Sequence, residues 1–378
     1  MSLVGTLLTF SVALASAANG QWWLEDFELP DSQVDGAGVI VAVIDTGVDD
    51  SHPDLAGAVL SGFDFSGVGG EAGNIPVGPG SAHGTMVASL IVGQGAESGG
   101  VVGVAPGANV LPISIGLGIP DSDTDTQLAE AVVWAVDNGA DVINLSITRN
   151  SAKWPQSWDS AFLYAFENDV VVVAASGNEE QGAFATAPAT IPGVISVTAV
   201  NQAGETSGAA GSSGIGVSIA APGENLLGSY PGGGSLAWSG SSAAAPIVSG
   251  LIALMRQQDP QASANDLIER LLRSATDLGE PGFDSAYGFG LINPSAALSA
   301  QDRASDNPLG SLQRWIELYR AEVAEDQAEL LLPTVESSEP EAQITAEEKA
   351  KEPINPLLYS LLVPLLLLVL LLRRGLGR

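Results

Sequence analysis

The chain has no cysteine. That excludes disulfides, thiolate metal sites and a cysteine nucleophile. Histidine is nearly absent, with only His52 and His83, so any imidazole chemistry must run through one of these two. Positive charge is scarce. There are 13 bases against 44 acids, a net charge of −31. Between residues 18 and 300 the only bases are Arg149, Lys153, Arg256, Arg270 and Arg273. Binding to phosphate backbones needs a basic face, so the composition argues against a nucleic-acid partner. An acidic, lysine-poor surface suits surroundings of high salt, where screening relieves self-repulsion. It equally keeps an exported protein soluble, and the sequence leaves both readings open.

What is present begins at the ends. Residues 3–14 (LVGTLLTFSVAL) are apolar, and Ala15-Ser16-Ala17 offers a small-residue cleavage site. The pattern is that of a signal peptide over 1–17. Leu357 to Leu372 is almost wholly leucine and valine and is followed by Arg373-Arg374. This predicts a transmembrane or sorting helix over 356–372, short against the ~20 residues of a full span. A basic tail over 373–378 would stay cytoplasmic, and the intervening domain would lie outside the cytoplasm. Residues 301–355 are acidic and punctuated by proline. They read as a linker or stalk, with a helix expected around Leu312–Leu331 and a solvated stretch from Pro333 to Pro356.

From about 38 to 300 two periods alternate. VIVAVID (39–45), NVLPISI (109–115), DVINLSI (141–147), DVVVVAAS (169–176) and VISVTAV (194–200) are nearly continuous apolar runs. Such runs are strands of a parallel sheet covered on both faces. Helical stretches lie between or after them, at 85–93, 126–139, 157–169, 242–257 and 263–274. Ser263 and Asp266 have the spacing of a capping box. The expected architecture is α/β with a mostly parallel sheet.

Four stretches carry residue types suited to chemistry. In VAVIDTGVDDSHPDL (41–55), Asp45 closes an apolar strand. A carboxylate there is costly unless paired, and sites in open α/β sheets form at strand carboxyl ends. The alternative is an Asp that caps the following turn. In SAHGTMVASLIVG (81–93), His83 opens a helix, and Gly84 permits close approach of another backbone. A histidine so placed can present one nitrogen to a carboxylate and the other to a hydroxyl, although a lone histidine is more often structural. SGSSAAAP (239–246) begins a helix with Ser242 in its first turn and Pro246 close behind. Serine is a favoured N-cap, so a structural reading is available. However, a serine at a helix N-terminus also lies where the dipole favours negative charge. VVVVAASGNEE (170–180) ends a buried strand at Asn178, whose amide could donate to a developing oxyanion.

These motifs, with GVAPGA (103–108), AAPG (220–223) and AYGFGLINPSAAL (286–298) in the same order, resemble the subtilisin-like serine proteases from about Trp22 to Ala300. The resemblance implies a three-layer α/β catalytic domain over 18–300 and hydrolysis of protein or peptide substrates through an acyl-enzyme, with no cofactor needed for the chemistry. It makes Asp45 the residue that orients the imidazole, His83 the general base and then acid, and Ser242 the nucleophile. Asn178 and the Ser242 N–H would form the oxyanion hole. His52 falls in a turn that is structural in the family. Ser146, Ile147 and Thr148 would bind substrate, and peptide would add as a strand. The family usually continues Leu-Gly-Gly after the serine at 146, whereas this chain reads Ile147-Thr148-Arg149. The family often binds structural calcium, for which Asp54 and Glu97 are the candidate ligands here. Two alternatives keep the fold: an inactive binding protein, or a transpeptidase using the same triad.

Overall fold

The computed structural model describes residues 21–25, 34–96, 99–178, 184–206 and 216–329. The signal-peptide segment 1–17, Glu97, the stretch from Pro333 to Pro356, the apolar run 356–372 and the tail 373–378 lie outside the described residues.

Strand β1 (Ile40–Asp45) is the hub. It pairs in parallel with β3 (Asn109–Ser114) on one side and β4 (Val142–Leu145) on the other. Beyond β3 lies the short β2 (Phe63–Asp64). Beyond β4 come β5 (Val171–Ala175), β6 (Ile195–Val200) and β7 (Ile219–Pro222), so the order is β2-β3-β1-β4-β5-β6-β7. All these pairings are parallel. An antiparallel hairpin, β8 (Leu226–Ser229) with β9 (Ser235–Trp238), stands apart from this sheet.

The central strands are buried on both faces because helices cover both. Val41, Val43, Val171, Val173 and Val197 point to one core, shared with α1 (His83–Val92), α4 (Ser241–Gln258) and α5 (Ala264–Ser274). Ala42, Ile44, Ile143, Leu145 and Val172 point to the other, shared with α2 (Thr124–Asp137) and α3 (Ser157–Glu167). The result is the expected three-layer arrangement. Helix α4 is apolar nearly all round and buried along its length, as a helix enclosed by protein must be. The capping box at Ser263 forms, with Ser263 Oγ accepting from Asp266 N–H and Asp266 accepting from Ser263 N–H. A short helix, α6 (Pro294–Ser299), follows.

The segment after Ala300 does not leave the domain at once. Helix α7 (Leu312–Glu329) begins with Leu312 buried in the second core, and Trp315 and Ile316 pack against it. Arg320 donates to Asp159 at 2.8 Å and lies over the Trp154 and Trp315 rings. Asp159 also accepts from Trp154 Nε1. Residues 301–320, the first part of the stretch read as a linker or stalk, therefore pack on the sheet domain. Among the described residues no helix is long and apolar enough to cross a membrane.

Candidate active site

The strand order reverses at β1: the chain runs outward to β3 on one side and to β4 on the other. In open α/β sheets the crevice beyond the strand carboxyl ends at such a point is where ligands bind. Asp45 is the last residue of β1 and is wholly buried. The β1–β4 register pairs Val43 with Asn144, so two residues on, Ser146 lies beside Asp45.

His83, the first residue of α1, directs Nδ1 to both Asp45 oxygens at 2.9 Å. Asp45 also accepts from Thr46 N–H at 2.7 Å. Thr46 Oγ1 in turn accepts from Gly84 N–H and donates to Ser81 C=O, tying the end of β1 to the start of α1. The approach is close: a Cβ on Gly84 would lie 2.3 Å from Gly47 C=O, so only glycine fits. Burial of the imidazole opposes its charged form, but the attraction and hydrogen bond of Asp45 outweigh that and raise its pKa above the ordinary value. With Nδ1–H donated to Asp45, Nε2 faces away as the basic nitrogen.

The chain enters α4 through Gly240, whose φ of 151° is a conformation open to little but glycine. The turn sets Ser241 and Ser242 in the first turn of the helix, where backbone N–H groups have no acceptor within the helix. Ser242 Oγ donates to Ser146 C=O at 2.9 Å, and Ser146 Oγ donates to Ser242 C=O at 2.9 Å. Ser146 is held from behind: Asn144 Nδ2 donates to Ser146 Oγ, and Ser249 Oγ donates to Asn144 Oδ1. This buried chain clamps α4 to the end of β4.

Asn178 follows β5. Its Oδ1 accepts from both the N–H and the hydroxyl of Ser241, at 3.0 and 3.1 Å. These bonds assign the amide orientation and leave Nδ2 as the outward donor. Trp238 stands edge-on to His83, with ring centroids 5.4 Å apart. A buried carboxylate, an imidazole whose Nε2 faces away from it, a serine at a helix start and an oriented amide thus stand at the carboxyl ends of β1, β4 and β5. Together they are the components of nucleophilic acyl transfer.

The family model described as the subtilase family, peptidase S8, matches residues 36–290. The chain belongs to the subtilase family. It is 33% identical to fervidolysin of Fervidobacterium pennivorans over 84% of this chain and 48% of that one. Subtilisin Savinase of Lederbergia lenta is 36% identical over 69% of this chain and 91% of its own. The chain thus spans about half of fervidolysin and nearly all of Savinase. In structure it resembles the fervidolysin crystal structure, a keratinolytic enzyme, with a TM-score of 0.65 at 32% identity, over 74% of this chain and 46% of that one. It also resembles MycP1 with its N-terminal propeptide removed, with a TM-score of 0.63 at 29% identity, over 78% of this chain and 99% of that one.

Two residues weighed from sequence lie elsewhere in this subtilase. His52 caps the 3₁₀ turn Pro53–Leu55: its Nδ1 accepts from Asp54 N–H, and its Nε2 donates to Gly234 C=O at 2.9 Å. Both nitrogens are engaged, so His52 is structural. Asp54, the candidate calcium ligand, is held by protein donors. Its oxygens accept from Ala96 N–H, Val101 N–H and Ser229 Oγ. Glu97, the other candidate ligand, lies outside the described residues, among which no group of three acidic or imidazole side chains is placed to hold a metal. Ser146, Ile147 and Thr148 leave the end of β4 beside Ser242. Sequence reasoning missed the parts that orient the others, Thr46, Asn144 and Ser249. Ser241, which holds Asn178, was not singled out either.

Proposed function

We propose that the chain is a serine endopeptidase in which Asp45, His83 and Ser242 form the triad and Asn178 supplies an oxyanion donor. The observation that carries the reading is the Asp45–His83 pair, its carboxylate buried at the strand switch point, with Ser242 anchored next to it through Ser146. A rotation of the Ser242 side chain exchanges its bond to Ser146 C=O for one to His83 Nε2; catalytic hydrogen bonds often tighten only with substrate bound. Ser242 Oγ then attacks the scissile carbonyl and His83 takes its proton. Asp45 stabilises the imidazolium that forms. The tetrahedral oxyanion is held by Asn178 Nδ2 and the Ser242 N–H, aided by the α4 dipole. His83 gives its proton to the leaving amine, and water resolves the acyl-enzyme by the same steps. No step needs a metal or cofactor.

Ser146, Ile147 and Thr148 hold the substrate strand in this reading. Export and tethering also belong to the proposal and rest on sequence: the apolar run 3–14 and the run 357–372 with Arg373-Arg374. The test is digestion of an unfolded protein by the chain and by Asp45→Asn, His83→Ala and Ser242→Ala. New peptides with ordinary amino and carboxyl ends, absent with Ser242→Ala, support hydrolysis. Products joined to an added amine indicate transpeptidation. Cleavage that survives Ser242→Ala refutes the proposal.

A further inference from the structure

Beyond Asp45, β1 turns away through Thr46-Gly47, and Val48 N–H and Thr46 C=O bond to Gly73 and Val77. Its neighbours continue. β3 continues to Ile115, whose N–H still reaches Asp45 C=O, and then turns over Gly116–Ile119, where Leu117 N–H bonds to Ile115 C=O and Ile119 N–H to Gly116 C=O. β4 runs on through Ser146 to Arg149. Where β1 stops, no further strand among the described residues takes its place between β3 and β4, which leaves a gap with room for one strand beside Ser146 and Ser242. A substrate strand laid along Ser146–Arg149 places the residue bearing the attacked carbonyl beside Ser146. At ~3.3 Å per residue, the residue three positions towards its N-terminus falls beside Arg149.

An ion pair lies at that point. Arg149 Nη2 donates to Asp125 Oδ2 at 2.8 Å. Asp125 is in the first turn of α2, which is fixed to the β3 continuation by Gly116 N–H donating to Gln127 Oε1 at 2.7 Å. The pair therefore joins the two sides of the gap. It is unusually well anchored for a pair about one-third exposed on each side. Arg149 Nη1 donates to Lys153 C=O, its N–H donates to Ala187 C=O, and its guanidinium lies 5.4 Å from the Trp158 ring centroid. Trp158 Nε1 donates to Asp125 C=O at 2.8 Å. Exposed ion pairs contribute little to stability, so this amount of anchoring is better explained by what the pair obstructs.

We propose that the Arg149–Asp125 pair is a specificity bar: it fills the far acyl-side end of the substrate slot, so the enzyme takes peptides with a small residue three positions before the attacked one and rejects a bulky one. This rests on the protease reading and names its substrate class. Arg149 and Asp125 touch the substrate's edge and not the reacting atoms.

The test compares two fluorescent peptides, identical except for Ala or Phe at that position, on the chain and on Arg149→Ala and Asp125→Ser. Each variant's melting temperature is recorded. kcat/KM should favour the Ala peptide by about tenfold or more in the parent, the discrimination a shaped pocket gives. Both variants should shrink that ratio at least several-fold, mainly by improving the Phe peptide. If Arg149→Ala fails to fold, Asp125→Ser carries the comparison. The same peptides are then bound to each form in a Ser242→Ala background by fluorescence anisotropy. Failure of hydrolysis with the binding preference present refutes the protease reading and keeps the bar. Hydrolysis of both peptides alike by the parent, or a ratio unmoved in both variants, overturns the bar. Binding and cleavage of neither peptide overturn both.

Discussion

Ser241→Ala isolates the contribution of the serine beside the nucleophile. Ser241 is wholly buried, accepts from the buried Gly177 N–H at 3.1 Å and donates to Asn178 Oδ1 at 3.1 Å. Alanine leaves the Gly177 N–H without its acceptor, which costs ~1–3 kcal/mol. It also removes one of the two bonds on Asn178, leaving the Ser241 backbone N–H at 3.0 Å. The net destabilisation is about 2 kcal/mol, a fall of roughly 4–8 °C in melting temperature for a domain of this size. Asn178 is loosened and not lost, so kcat should drop by about three- to tenfold, against the ~10²–10³ expected for losing an oxyanion donor. KM should stay constant, because that donor acts only in the transition state. Ser241→Thr keeps the hydroxyl and should restore both quantities. Thermal denaturation and steady-state hydrolysis of a chromogenic peptide measure the two effects. A Ser241→Ala protein that melts and turns over like the parent would refute the reasoning.

Asn178→Ala should lower kcat by ~10²–10³ with little change in melting temperature or KM. Asp45→Asn should lower kcat/KM by about 10⁴. Because Asp45 raises the His83 pKa, parent activity should climb with pH through an apparent pKa above 6.5, and the residual activity of Asp45→Asn should climb at lower pH. Arg320→Ala leaves the buried Asp159 with Trp154 Nε1 as its remaining hydrogen-bond donor and should destabilise the domain by up to about 3 kcal/mol. Ending the chain at residue 300 should do at least as much harm. Asp266 is held well below its ordinary pKa of 3.8: burial opposes this, but the Ala304 and Ser263 N–H groups and Arg303 outweigh it. That stability is present above the unfolded pKa and is lost as pH falls below it, so Asp266→Asn should flatten the acid limb of a pH–stability curve.

Much of the sheet could be read in the sequence because each central strand is buried on both faces. The apolar runs 109–115 and 194–200 appear as Asn109–Ser114 and Ile195–Val200. The elements that escaped are exposed or too short to show a pattern. β9 is mostly exposed, β2 has two residues, and β7 is a short IAAP ending in proline. The candidate residues Asp45, His83, Asn178 and Ser242 were legible because each sits at a strand or helix end inside a long, distinctive motif. Their supports were not. Arg149 and Asp125 are 24 positions apart, and Arg320 and Asp159 are 161 apart. A pairing at that distance leaves no local period. The polar chain from Ser249 through Asn144 to Ser146 joins a helix to a strand that meet only in the folded core. Calcium at Asp54 was an expectation from the family resemblance; the structure shows those oxygens accepting from N–H and O–H donors.

The central claim is that Ser242 is an activated nucleophile. It is tested most directly by labelling the folded protein with a fluorophosphonate probe at low and high salt, followed by peptide mapping. The account predicts one labelled residue, Ser242, with labelling abolished in Ser242→Ala and strongly reduced in His83→Ala. Folded protein that takes no label in either salt, or takes it equally after Ser242→Ala, would contradict it.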